Sequence, residues 1–205
     1  MNILIVAATK REIEPLDNKL KGLKFKPDVL ITGVGMVATT FILTKAFSAK
    51  KYDAAINLGI CGSFNRNLKI GEVVNTTEDI FSELGAEDGD SFLKLSDMNF
   101  TDKNDVFLKP AKKYSHPALR EFKKVKGITV NTVNGNKKNI SKVVELYSPD
   151  VESMEGAAFF YVCNQFKIPA VQLRAVSNYV ERRNTKNWNI TLAIDKLNEA
   201  VLRLF

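Results

Sequence analysis

Three polar side chains stand where an apolar run gives way: Glu12 after NILIVAAT, Glu155 before GAAFFYV, and Asn178 after IPAVQLRAVS. A carboxylate at Glu12, just past an opening strand, is placed to draw a proton from water. It equally suits the first turn of a helix, where the macrodipole stabilises it. Glu155 opens a helical pattern in which Glu155, Ala158, Phe159, Val162 and Phe166 share one face. A carboxylate heading such a face is costly to bury unless something donates to it. Arg174 is the expected ion-pair partner, and the two vicinal hydroxyls of a ribose are the expected ligand; both can hold together. Alternation along the last run puts Gln172, Arg174, Val176 and Asn178 on one face. An amide at that strand's end either faces a cleft as donor and acceptor or forms a turn.

The elements that must position these groups are legible as alternating strands and helices. Short apolar, β-branched runs recur at Asn2–Ala8, Asp28–Thr32, Ala54–Leu58, Glu72–Thr76, Ile128–Val133 and Pro169–Ser177, with helical patterns at Val37–Lys50 and Glu155–Phe166. That order predicts an α/β layered fold with a largely buried sheet, whose ligands bind beyond the strand ends. Ser82–Asp105 is acidic and punctuated by glycine, and reads as a long surface excursion.

Composition narrows the function classes. The chain has 205 residues, 45% hydrophobic and 26% charged, with no apolar stretch long enough to cross a bilayer. The N-terminal run has no preceding basic residues and is expected to be a strand, not a leader. Cys61 and Cys163 both sit in apolar company, so a reducing cytoplasm is expected and a disulfide is not. The net charge of +7 comes from scattered lysines (Lys19 to Lys26, Lys109 to Lys113, Lys123 to Lys126, Lys137 to Lys142) without interleaved aromatics. A basic surface fits this better than a nucleic-acid face. His116 is the single histidine, in YSHPAL, and reads as a surface residue and not a metal ligand.

GVGMVA at Gly33–Ala38 matches a dinucleotide fingerprint, but the strand that follows ends Asn57-Leu58-Gly59 with no acid to hold a ribose. A tight turn with close helix packing is the better reading, and a dinucleotide-dependent oxidoreductase the rival one.

Taken together, LIVAATKREIEPL, GVGMVAT, NLGICGSF, LKIGEVV and VESMEGAAFFYVC followed by IPAVQLRAVSN resemble the purine nucleoside phosphorylase and nucleosidase family. The resemblance covers nearly the whole chain and is weakest over residues 80–125. Within the family the tail NYVERRNTKNWNI is most similar to the futalosine hydrolase branch, a menaquinone-pathway group, with methylthioadenosine/S-adenosylhomocysteine nucleosidases as close relatives.

The resemblance implies one domain over residues 1–205, a three-layer α/β/α sandwich around a central mixed sheet. It implies a homodimer that cleaves a nucleoside N-glycosidic bond without metal or cofactor, and neither nucleic acid nor membrane as partner. It makes Glu12 the general base for the attacking water. Glu155, with Met154 beside it and Arg174 nearby, holds the ribosyl hydroxyls; Gly62 and Ser177 join the substrate site, and Asn178 meets the base. Adenine nucleosidases carry Asp where this chain has Asn178. An amide NH2 donates to O6 or N7 of a 6-oxopurine, where a carboxylate would oppose acceptor to acceptor. Hypoxanthine is therefore the expected leaving base.

Arg182 or Arg183 is expected to clamp a substrate carboxylate, or else to be a solvated loop arginine; Trp188 covers an aromatic substituent or simply packs. A base-edge loop is expected near Asn134–Asn139. Ile60 and Thr9 depart from the adenine-nucleosidase pattern, and only Arg66 is left to stand for a phosphate-binding arginine, so hydrolysis is favoured over phosphorolysis. A methylthioadenosine nucleosidase and a catalytically silent nucleoside binder remain alternatives.

Overall fold

A computed structural model describes residues 1–20, 26–101 and 107–205. Lys21 and Lys24 of the first lysine group, and residues 102–105 of the acidic excursion, lie outside the described residues. In chain order the elements are β1 (Ile3–Ala7), α1 (Lys10–Leu20), β2 (Asp28–Ile31), α2 (Met36–Ala49), β3 (Ala54–Ser63), β4 (Val73–Glu78), β5 (Gly85–Asp88) and β6 (Ser91–Lys94). β7 (Lys123–Thr129), α3 (Lys137–Tyr147), β8 (Val151–Ser153), α4 (Gly156–Gln165), β9 (Ala170–Tyr179) and α5 (Ile190–Val201) complete it.

The fold is the expected α/β type with a central mixed sheet. Seven strands run in the order β2-β1-β3-β8-β7-β4-β9, and β9 also pairs with β3. β1, β2, β3 and β9 run parallel, whereas β8 lies antiparallel to β3 and β4 antiparallel to β9. Because β3 is bonded to both β8 and β9, the strands β3-β8-β7-β4-β9 close into a ring, which removes their edges. Cys61, Val74, Val125, Val151 and Val176, one from each of those strands, pack together with Leu68.

β1 is buried on both faces, as its unbroken apolar run requires. Ile5 and Ile56 meet Ile13, Leu16 and Leu197 of α1 and α5 on one side. Leu4 and Val6 meet Leu43, Phe159 and Phe160 of α2 and α4 on the other. These two cores make the outer layers.

Several boundaries differ from the sequence reading, and the strand read to Val133 ends at Thr129. β7 begins five residues before Ile128, because Val125 and Gly127 already alternate inward between exposed or half-buried lysines. β3 runs past Leu58 to Ser63, since ring closure demands partners there. The excursion after Ser82 contains the hairpin β5–β6, turned at Gly89 with φ +60°.

Candidate active site

The site forms where β3 exchanges neighbours. β1 pairs with it over Ala54–Leu58, and β8 joins only at Gly62–Ser63, so the edge between is free. Crevices of this kind, past the carboxyl ends of parallel strands, are where α/β sheets bind ligands. Glu12 fills the gap from the first turn of α1. Its Oε1 accepts the Ile60 N–H at 3.3 Å, and its Oε2 accepts the N–H and O–H of Thr9 at 2.9 and 2.8 Å. The side chain is thus pinned by neighbours that cannot neutralise it. Thr9 and Ile60 are the residues that hold Glu12.

A cavity of about 350 Å³ opens over this point, a size that suits a small ligand. Glu12, Gly62, Met154, Glu155, Ser177 and Asn178 all line it. Arg174 does not. It lies behind Glu155 and is 1% exposed, so it cannot touch a ligand's hydroxyls and acts through its neighbours. The correction follows from the sheet: Arg174 projects into a polar layer under α4, where Nε donates to Gln172 Oε1 at 2.9 Å, Nη2 to Asn57 and Nη1 to Glu155 Oε2 at 3.5 Å. Gly59 makes room, since a Cβ there would stand 2.1 Å from Arg174 Nη1.

Glu155 heads α4 as anticipated and forms the expected buried ion pair. Its other oxygen accepts the Gly35 N–H at 3.1 Å. Burial raises its carboxyl, opposed by Arg174 and that N–H. The GVGMVA turn is accounted for here: Gly35, at φ +95° before α2, offers its amide to a carboxylate, which disfavours the same amide as a phosphate cradle.

Asn178 lies beyond a bulge. Cys61 pairs with Val176 and Gly62 with Asn178, so β9 carries one extra residue, Ser177, and the strict alternation drawn from the sequence stops there. Ser177 Oγ donates 2.8 Å to Asn178 Oδ1 and lies 3.1 Å from the Cys61 carbonyl, while Asn178 Nδ2 donates to Tyr179 O at 3.1 Å. The amide is held with its NH2 on the Gly62 side.

At the mouth, Arg183 lines the cavity and Arg182, which is exposed, does not. The Arg183 guanidinium stacks 4.9 Å from the centroid of Trp188, which also lines the cavity. Arg66 is committed elsewhere, 2.7 Å from Glu181 and over the Tyr179 ring. His116 is half-buried and caps a short 3₁₀ turn, its Nδ1 accepting from Ala118 N. Of the expected base-edge loop, Asn134 reaches the cavity, whereas Lys137–Asn139 already belong to α3, capped by Asn136.

Two buried acids were not legible in the sequence. Asp79 accepts from Thr129 Oγ1 (2.8 Å), Gln172 Nε2 (3.2 Å) and its neighbour's backbone, and burial pushes its carboxyl up to about 6. It anchors Gln172, which in turn orients Arg174. Gly156 allows this, since a Cβ there would fall 2.1 Å from Asp79 Oδ2. Glu152 lines the cavity, bonded to Asn134, and burial pushes its carboxyl up to about 7.

Residues 2–205 match the model of the phosphorylase superfamily. The chain belongs to that superfamily. Futalosine hydrolase of Streptomyces coelicolor is 30% identical over 86% of this chain and 77% of the relative. Aminodeoxyfutalosine nucleosidase of Campylobacter jejuni is 28% identical over 87% of this chain and 86% of its own length. Among solved structures, the native futalosine hydrolase of Helicobacter pylori strain 26695 superposes with a TM-score of 0.82 at 16% identity, over 100% of this chain and 97% of that one. That structure speaks for the fold alone. The chain is accordingly an N-glycosyl hydrolase, and the cavity that Glu12, Glu155 and Asn178 line is the candidate site for that cleavage.

Proposed function

We propose that this protein hydrolyses futalosine, releasing hypoxanthine and dehypoxanthine futalosine. The observation that carries the reading is Asn178, a cavity residue whose oxygen accepts from Ser177 Oγ and whose NH2, with one proton on the Tyr179 carbonyl, keeps a second for a ligand. A fixed donor suits O6 or N7 of a 6-oxopurine and opposes the exocyclic amine of adenine. The similarity to Streptomyces futalosine hydrolase supports the substrate.

In this mechanism Glu155 accepts the ribosyl hydroxyls, held by Arg174 and the Gly35 amide. Glu12 takes the proton of the water attacking C1′ as the sugar becomes oxocarbenium-like. Asn178 stabilises charge building on the departing base, a preorganised electrostatic effect, and solvent supplies the N7 proton.

The test exchanges the amide for an acid. Asn178→Asp is expected to lower kcat/KM for futalosine at least tenfold, on the order of one buried charged or mismatched hydrogen bond, and to raise it for aminodeoxyfutalosine. Retention of the futalosine preference in that variant would refute the role of Asn178.

Futalosine bears a benzoate, and Arg183 beside Trp188 is its proposed clamp. Arg183→Ala should raise KM for futalosine several-fold with little change in kcat, and Arg182→Ala should change neither. An unchanged KM in the first variant sinks the clamp.

Two further readings go with this one. The protein acts in the cytoplasm on the futalosine route to menaquinone, so a strain lacking it should accumulate futalosine. It also works as a homodimer through α2, whose Val37 and Phe41 are 81% and 65% exposed beside the cavity residue Val34. Exposed apolar groups clustered in this way mark an interface. Light scattering should return twice the chain mass; a monomer at micromolar concentration would contradict it.

A further inference from the structure

We infer that Glu152, as a carboxylate, accepts the N1–H of a 6-oxopurine base and so shares with Asn178 the discrimination between hypoxanthine and adenine. The inference rests on the proposed 6-oxopurine reading and deepens it. In the sheet, Gly62 of β3 is the direct neighbour of Glu152 on β8 and of Asn178 on β9. Having no side chain, Gly62 lets the two approach across it. A Cβ there would stand 3.3 Å from Asn178 Nδ2 and 3.4 Å from Glu152 Cγ. Both side chains line the same cavity, and Glu152 is 4% exposed.

The chemistry of the pair is complementary to one kind of base. A 6-oxopurine presents N1–H beside the O6 acceptor, so a carboxylate next to an amide NH2 matches that edge. Adenine presents a lone pair at N1 beside an amine, and would oppose acceptor to acceptor at Glu152 and donor to donor at Asn178. Asn134 donates its backbone N–H to Glu152 Oε1 at 3.1 Å and its side-chain N–H to Oε2 at 2.7 Å. The backbone N–H also reaches Oε2 at 3.4 Å; an ionised carboxylate offers about four acceptor sites, so Oε1 keeps one for a ligand.

The plainer role, anchoring the Asn134 loop, asks only for a neutral acceptor. A carboxylate buried with no cation among its described neighbours is a costly way to fill it. A ligand N–H completes what Asn134 leaves open.

The test compares kcat/KM for futalosine and aminodeoxyfutalosine in the natural protein and in Glu152→Gln. In the variant the amide oxygen keeps the 2.7 Å bond from Asn134 Nδ2, and an NH2 replaces the acceptor proposed for N1–H. The futalosine-to-aminodeoxyfutalosine ratio is expected to fall at least tenfold. Equal loss on both substrates would make Glu152 a loop anchor and overturn the inference. A natural protein that prefers aminodeoxyfutalosine would instead overturn the reading of the base, and the inference with it. Should Glu152→Gln not fold, product inhibition of the natural protein decides: hypoxanthine is expected to inhibit at least tenfold more tightly than 1-methylhypoxanthine, and equal inhibition overturns the inference.

Discussion

Replacing Glu12 with Gln is expected to cut kcat by about 10²–10⁴-fold while leaving KM for futalosine within a few-fold of its natural value. Gln preserves the shape, and its oxygen still accepts from Thr9, so the fold and the cavity survive. What it removes is the ability to take a proton. Both oxygens of Glu12 accept hydrogen bonds, from Thr9 and from Ile60, and Oε1 sits where the β3 edge is free. Those contacts are made by uncharged donors, which hold the carboxylate in place at the cavity. Near-normal turnover in Glu12→Gln, with an unchanged melting curve, would remove Glu12 from the chemistry.

The second large effect is thermodynamic as well as catalytic. Glu155→Ala deprives the buried guanidinium of Arg174 of its ion-pair partner and leaves it with the neutral Asn57 and Gln172. Removing one partner of a buried pair costs about 3–5 kcal/mol, because the remaining charge is uncompensated. For a domain of this length that corresponds to a Tm lower by roughly 10 °C. Cleavage should be lost too, since the ribosyl hydroxyls lose their acceptor. Glu155→Gln should melt closer to the natural protein yet stay poorly active, which separates binding from folding. A Tm unchanged in Glu155→Ala would mean that Arg174 is neutralised elsewhere, as by Asp79, which Gln172 links to that layer.

How far the sequence carries can be judged residue by residue. β1, α2, α4 and β9 are legible because each is an apolar run or stripe with a clear stop, and those stops set Glu12, Glu155 and Asn178 at one crevice. The Glu155–Arg174 pair is legible because a buried carboxylate and a buried guanidinium each demand a partner. The bulge at Ser177 is not, since only pairing with β3 shows that β9 has one residue too many. Closure of the ring is not legible either, because β9 meets β3 and β4 across about a hundred residues of chain. Glu152 sits in VES, a strand too short to show as an apolar run; its meaning depends on Gly62 and Asn134, both distant in sequence. Arg182 and Arg183 are adjacent and alike in type, and the stacking on Trp188 is what separates them.

The central claim is hydrolytic release of hypoxanthine from futalosine, and the most direct measurement is chromatography of the free base released from futalosine, methylthioadenosine and inosine, each with and without phosphate. The account predicts hypoxanthine from futalosine at a rate that phosphate does not change, with methylthioadenosine left intact. Adenine released from methylthioadenosine in preference, or release that requires phosphate, would contradict it.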